Sequence, residues 1–426
     1  MNQDVLVIGA GIAGIEASLL LAGSGRKVYL IEKTSMIGGN LVKYEEVFPN
    51  MECSTCMLAP KQQDLLQNAN IELLTMADVL DVSGKIGDFK VKIAVQADYV
   101  SAVDCIGCGA CYEPCPISIP NEFEENLSSR KAIFVPCPGA LPNVPVIDKA
   151  NCLRFTKGEE CALCQESCMF EAIDYSKQDR QIELEVGAII VCTGFQMFDL
   201  SSYSKYGSGE IPAVYTEMQF ERLFASNGPT LGDIRLRNGR TPEKIAIIQD
   251  VGKETVGYNS PIASIYPFKL VHYIAHKLHN AEIFCLYDDL FLPGKHYQAF
   301  FEEAISPNVH LERYDDVSVE ANGDGALVKF SVEGDEKRIE VDMVILASAL
   351  VPRTDALELA NLLGIDIAKS GFLRSNRDGL STLATSREGI FVAGCAEGIK
   401  DIAHSVEQAS AAVGMVLSSI RNEIAV

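Results

Sequence analysis

The chain opens on a strictly apolar tetrad, Val5-Leu6-Val7-Ile8, the pattern of a parallel strand buried on both faces. Gly9-Ala10-Gly11-Ile12-Ala13-Gly14 follows and leads into helical spacing from Ile15 to Ala22. A second apolar run, Lys27 to Ile31, ends at Glu32. Strand, helix and strand in that order predict a βαβ unit. Strand patterns return at Phe89 to Val95, Ile182 to Cys192, Lys244 to Ile248, Ala281 to Leu286 and Glu388 to Ala393, and Ile402 to Leu417 has the spacing of an amphipathic helix. Strands alternating with helices predict an α/β protein with two Rossmann-like units. No repeat, low-complexity stretch or long linker interrupts them. The longest apolar runs, such as Val186 to Cys192 and Met343 to Leu350, fall far below the roughly 18–20 residues of a membrane span.

Composition narrows the function classes. The 426 residues are 48% hydrophobic and 22% charged, which excludes a disordered, collagen-like or disulfide-stapled chain. Lys and Arg number 36 against 58 Asp and Glu, a net charge of −22 that argues against nucleic acid or an anionic membrane as the main partner. The N-terminus runs directly into a strand with no basic, signal-like segment, so a cytoplasmic location is expected. In a reducing compartment 14 cysteines are read for metal or redox chemistry rather than structural disulfides.

Gly9 makes the tight turn of the first motif, Gly11 admits a pyrophosphate, and Gly14 lets the helix pack on the strand. Glu32 stands 18 positions beyond Gly14, where it can bind ribose hydroxyls. Ala13, Lys33, Gly38, Gly39 and Asn40 complete the expected cradle. The second glycine pair, close behind Glu32, favours FAD over NAD. Gly187 to Gly194 resembles the strand and "ATG" turn that brings the chain back to an FAD domain and places Thr193 and Gly194 at the cofactor. Glu388 to Gly394 and the helix beginning at Ile402 resemble the second FAD signature of the thioredoxin reductase and glutathione reductase superfamily, with Cys395 where Asp is usual. In the second unit, Lys244 to Ile248 runs into Gln249-Asp250-Val251-Gly252-Lys253 without a GxGxxG, so a nicotinamide site is not expected there.

Cys105, Cys108, Cys111 and Cys115 form CxxCxxCxxxC followed by Pro116. Cys152, Cys161, Cys164 and Cys168 form a matching set with eight residues between the first two, and Met169 in place of the proline. In a two-cluster ferredoxin the fourth cysteine of each set serves the other cluster. One 4Fe-4S cluster is thus expected on Cys105, Cys108, Cys111 and Cys168, and another on Cys152, Cys161, Cys164 and Cys115. Zinc on four thiolates is the alternative. The expected FAD-binding domain is assembled from three segments, 1–97, 181–200 and 351–426. An inserted α+β two-cluster ferredoxin (98–180) separates the first two, and a second Rossmann-like unit (201–350) separates the last two.

With both modules placed, the chain resembles the A subunit of heterodisulfide reductase. The resemblance is carried by Ile37-Gly38-Gly39-Asn40, Glu52 to Lys61, the ferredoxin insert, Arg130 to Ile133 and Gly394 to Ile402. It implies an FAD- and iron–sulfur-dependent electron-transfer oxidoreductase working with other subunits, in methanogens by flavin-based bifurcation; a homodimer of this chain is a further arrangement. Asp250, Asn259, Ala263 and Ser264 stand where the family often has four cysteines for a further cluster, so that cluster is expected to be absent. The resemblance ends at Val426, where longer members continue into another ferredoxin. Cys53 and Cys56, trailed by Pro60-Lys61, read either as a redox-active or cluster-binding pair, such as a dithiol beside the flavin, or as a structural pair near it, and Lys61 either as a neighbour of the flavin N5 edge or as a solvated lysine. Two alternatives stand beside this reading. One is a self-contained NAD(P)H-dependent flavin/iron–sulfur reductase, and the other a non-catalytic electron-wiring component of a quinone-linked complex.

Overall fold

The computed structural model describes residues 1–158, 160–376 and 382–420. The last expected segment, 351–426, therefore includes stretches (377–381 and 421–426) outside the described residues. Two five-stranded sheets with all neighbours parallel organise the rest. The first runs in the order Ile390–Val392, Ala188–Val191, Val5–Ile8, Val28–Ile31, Ile71–Leu74. Every residue of Val5–Ile8 and Ala188–Val191 is buried, because helices or a meander cover both faces of a parallel sheet. The second runs Val214–Thr216, Met343–Ser348, Lys244–Val251, Glu282–Tyr287, Val309–Arg313. Each sheet has a separate apolar core on each face. Each also carries a three-stranded antiparallel meander: Ala77–Lys85, Asp88–Val95 and Arg180–Val186 in one unit, Asp316–Asn322, Gly325–Val332 and Asp335–Val341 in the other.

The sequence reads Ile182 to Cys192 as one returning strand; the structure makes two. Arg180–Val186 belongs to the meander and Ala188–Val191 to the parallel sheet. The break falls at Gly187, where a Cβ would lie 2.0 Å from the Asn2 carbonyl oxygen. The segment expected as a ferredoxin leaves after Val95 and returns at Arg180, which are paired neighbours in the meander. Asp174 N–H donates to Tyr99 O (2.8 Å) and Ser101 N–H to Ala172 O (2.8 Å), so the ladder continues as a stem that holds the insert. Above it, Tyr99, Val100, Cys111, Ile133, Ile147, Cys164 and Ile173 form a small core of their own. The two large units are joined by two chain crossings, Phe195–Met197 and Leu350–Pro352, paired antiparallel. The expected boundary at 350 falls inside this ribbon.

Charge buried at the junction fixes the insert and the two large units relative to one another. The helix Glu217–Phe224 begins with a capping box in which Thr216 and Gln219 satisfy each other's backbone. Its Arg222, 1% exposed, donates to Glu124 of the insert (2.9 and 3.1 Å), to the Lys43 carbonyl (3.0 Å) and to Asn227 (2.8 Å). The guanidinium also lies 4.7 Å from the centre of the Phe123 ring. One arginine thus touches the insert, the flavin-type unit and its own unit. Removing one partner of a buried pair strands the other charge, at a cost of roughly 3–5 kcal/mol. Glu124→Ala is therefore expected to lower stability by about that amount in urea unfolding, whereas Glu122→Ala, with its exposed carboxylate, costs at most about 1 kcal/mol.

Candidate functional site

The sequence GxGxxG folds as its three glycines require. A Cβ on Gly14 would lie 1.8 Å from the Gly9 carbonyl oxygen, so helix Ile12–Gly23 packs this closely only without one. Gly9 has φ +99°, and a Cβ there would approach Cys192 O to 2.6 Å. Gly11 differs: a Cβ on it would meet nothing within 4 Å. It opens into a cleft of about 460 Å³ at the helix N-terminus, where backbone N–H groups and the helix dipole favour an anionic ligand. The second glycine pair abuts the first, with Gly38 N–H donating to Ala10 O (2.7 Å) and Gly11 bridged to Gly38.

Of the residues expected to hold the cofactor, Gly9, Gly11, Ala13, Glu32, Lys33, Gly38, Gly39, Asn40, Thr193, Gly194, Cys395 and Ile402 all line this cleft. Gly14 and Gly394 stand behind it as packing positions; a Cβ on Gly394 would come within 2.9 Å of that of Ala13. Glu32 accepts from Ala10 N–H (2.9 Å), Thr34 N–H (2.9 Å) and Thr34 Oγ1 (2.8 Å). Those bonds hold the carboxylate at the wall with acceptor capacity to spare for a hydroxyl. Lys33 is engaged at the rim by Asp355 (2.8 Å) and Asp78 (2.9 Å). Asn40 donates to Phe195 O (3.1 Å), tying the loop to the chain crossing. Cys395 is held by its thiol donating to Lys400 O (3.2 Å), and the helix Ile402–Ser419 is capped by Asp401, which accepts from His404 N–H. This long, mostly apolar cleft, with glycines at one end and an acid positioned for a ribose, fits a dinucleotide.

The cleft continues into the second unit, which sequence reasoning missed. Glu217, Tyr266, Lys269 and Ser348 line its far end together with Tyr44 and Phe48. Lys269 and Glu221, both at most 1% exposed, form an ion pair with both distances 2.9 Å. The Glu221 carboxylate also accepts from Tyr266 (2.9 Å), Tyr273 (3.0 Å) and Glu45 N–H (3.0 Å). Burial lowers the pKa of Lys269 while the Glu221 charge opposes the shift. One local signal pointed here: Lys269 is a lone cation within the apolar stretch Ile265 to Ile274.

Cys53, Cys56 and Lys61 go elsewhere. Cys53 and Cys56 form an exposed disulfide at the start of helix Ser54–Gln67, and neither lines the cleft. Lys61 does not reach the cleft either; the helix turns it to Glu16, 2.6 Å away. The 13 residues between Gly39 and Cys53 carry the chain past the cleft before the helix begins.

The eight cysteines of the insert fall into two neighbourhoods. Cys115, Cys152, Cys161 and Cys164 line one small pocket with Ile133, Ile147 and Tyr175. The Cys111 thiol is pushed up to about 12 by burial, with Cys164, Cys105 and Cys168 within reach of it, and Cys105, Cys108 and Cys111 lie within reach of Tyr112. Cys108 is exposed. Among the described residues no three His, Cys, Asp or Glu converge as they would on a single ion; ligands of a cubane sit instead on separate irons. Cys192 and Cys285 are buried thiols pushed up to about 12.

Residues 4–53 match the family model described as FAD dependent oxidoreductase. The chain is 36% identical over 434 aligned residues to the A subunit of the H(2):CoB-CoM heterodisulfide,ferredoxin reductase of Methanothermobacter marburgensis, covering 100% of this chain and 65% of that protein. It is 38% identical to the first of two iron-sulfur A subunits of the CoB--CoM heterodisulfide reductase of Methanopyrus kandleri, covering 97% and 63%. The chain belongs to the family of heterodisulfide reductase A subunits. It spans slightly less than two thirds of the length of these relatives. Among solved structures, the thioredoxin reductase of T. acidophilum superposes with a TM-score of 0.52 at 14% identity, covering 97% of both chains. LpdA of Mycobacterium tuberculosis gives 0.56 at 15%, covering 97% of this chain and 72% of LpdA. The fold of this heterodisulfide reductase homologue is thus that of the thioredoxin-reductase-like flavoproteins.

The glycines separate packing from binding. Gly14→Ala is expected to collapse the βαβ packing and yield protein that does not fold. Gly11→Ala should stay folded, losing no more than about 1 kcal/mol at a helix N-cap, while its dinucleotide content falls; melting and released-flavin absorbance measure the two effects.

Proposed function

We propose that this chain is the FAD- and iron–sulfur-carrying electron-transfer subunit of a heterodisulfide-reductase-like complex. Two-electron chemistry enters or leaves at FAD in the cleft, and single electrons pass through two 4Fe-4S clusters, one on Cys105, Cys108, Cys111 and Cys168, the other on Cys152, Cys161, Cys164 and Cys115, to partner subunits. Flavin suits this exchange because it handles one or two electrons, while each cubane handles one. The observation that carries the reading is the pocket holding Cys115 with Cys152, Cys161 and Cys164: the fourth cysteine of one motif joins three of the other, as interlocked two-cluster ligation requires. In this reading Gly11 and the helix N-terminus take the pyrophosphate, Glu32 a ribose, and Cys395 and the Ile402 helix the flavin half. Thiol–disulfide chemistry on an external substrate belongs to a partner. Bifurcation is not carried over, since Asp250, Asn259, Ala263 and Ser264 occupy the positions of the family's further cluster.

The family names support partner subunits, and the acidic surface excludes nucleic acid from the reading. A cytoplasmic location, where thiols stay reduced and available as ligands, completes the reading. Among the described residues no helix is long and apolar enough to cross a membrane. Anaerobically prepared protein is expected to carry one FAD and about eight irons with matching labile sulfide per chain. Cys161→Ser should lower iron toward half while flavin stays. Protein that is colourless, or that carries zinc, overturns the reading.

A further inference from the structure

Among the described residues, Glu217 at the far end of the cleft forms no ion pair. It is 2% exposed and lines the cleft. Its Oε1 accepts from the Ser348 hydroxyl at 2.6 Å, while its Oε2 is buried without any hydrogen-bond partner. Native structures rarely leave such an atom unanswered unless a ligand, water or function answers it. Burial pushes the carboxyl up to about 7, against the opposing hydrogen bond from Ser348, so the group holds a proton near neutrality and can release it. The groups around it are Ser348 on the strand Met343–Ser348, Glu125 from the insert, and the phenols Tyr44 and Tyr266. Both phenols are raised well above their ordinary range and stay neutral. The nearby ammonium of Lys269 is committed to Glu221.

The position in the cleft says what this proton is for. A dinucleotide with its pyrophosphate at Gly11 and one ribose at Glu32 extends its other half away from Glu32. Asn40, Thr193 and Cys395 line the same cleft as Tyr44, Tyr266, Ser348 and Glu217, and Tyr44 lies within electrostatic reach of both Glu217 and Cys395. We propose that Glu217 is the carboxyl group that holds and exchanges the proton accompanying two-electron reduction of the flavin, and that Ser348 positions it. With FAD in the cleft and electrons reaching it through the clusters, the Glu217 carboxyl would give its proton to the ring and be left as a carboxylate, held by the Ser348 hydroxyl. Solvent then reprotonates it. When the electrons leave one at a time through the clusters, Glu217 would first give its proton back to solvent, and the resulting carboxylate would take the proton released by the ring. The inference rests on the FAD reading above and deepens it.

The test is the pH dependence of the flavin midpoint potential, measured by mediated spectroelectrochemistry on the intact, flavin-loaded protein. A reduced, anionic ring beside Glu217 favours the protonated carboxyl. Above about pH 7, reduction should therefore take up the ring's proton and one more at Glu217, doubling the slope of potential against pH over a window. Glu217→Gln keeps the shape without the titration and should give the single-proton slope throughout. Ser348→Ala removes a hydrogen bond to the charged form, so its window should begin at higher pH. This second variant decides the matter if Glu217→Gln fails to retain flavin. A wild-type slope without a window, or a window unchanged in either flavin-loaded variant, overturns the proposal. Wild-type protein without flavin instead overturns the FAD reading on which it rests.

Discussion

Charges removed from water must be answered where they sit, and the helix Glu217–Phe224 carries three such groups within six residues: Glu217, Glu221 and Arg222. Glu221 is answered by Lys269 and two phenols from the helix Pro261–Lys277, and by a backbone N–H from the flavin-type unit. Arg222 is answered by Glu124 and the Lys43 carbonyl. The answers come from the second unit, the flavin-type unit and the insert, so moving any of these regions strands a charge. A purely apolar junction would tolerate sliding; directional bonds to desolvated charges do not. The cleft lies between these regions, and its far wall has a defined shape because of them.

The same junction carries the insert. The antiparallel stem from Val95 and Arg180 attaches it at one end, and Glu124 clasps it to Arg222 at another point. Two attachments restrict rotation where one ribbon would permit it. Arg130 reinforces the insert from within, bound to Glu122 and Asp148 and stacked 3.8 Å from the centre of the Phe134 ring.

What could be read from the sequence was what physics makes local. Gly9, Gly11 and Gly14 declare themselves because a turn, a close approach and a helix contact constrain neighbouring residues. The insert's cysteines declare themselves because short spacings set which thiols can meet. Glu221 and Lys269 lie 48 residues apart, and Arg222 and Glu124 lie 98 apart, so nothing local announces either pair. Glu217 looks like any acid in a first helical turn; only the sheet and helices closing over it make it unusual. Lys61 failed in the opposite sense, since its neighbours in sequence suggested the flavin but helix geometry delivered it to Glu16. The doubled architecture was also invisible as a repeat, because two sheets with the same layout need share only burial, not residues.

The strand order of the first sheet has a consequence for biosynthesis. Its central strand, Val5–Ile8, is flanked by Val28–Ile31 on one side and Ala188–Val191 on the other, and the edge beyond is Ile390–Val392. On the ribosome the first strands must therefore wait for nearly the whole message to be read before their sheet is complete. The eight cysteines of the insert proposed as ligands emerge well before that, on a small module with a core of its own. Pairings between distant segments form slowly, and local ones quickly. Closure of the insert can thus precede closure of the nucleotide fold, so the thiols of a nascent chain are gathered while the dinucleotide still has no complete seat.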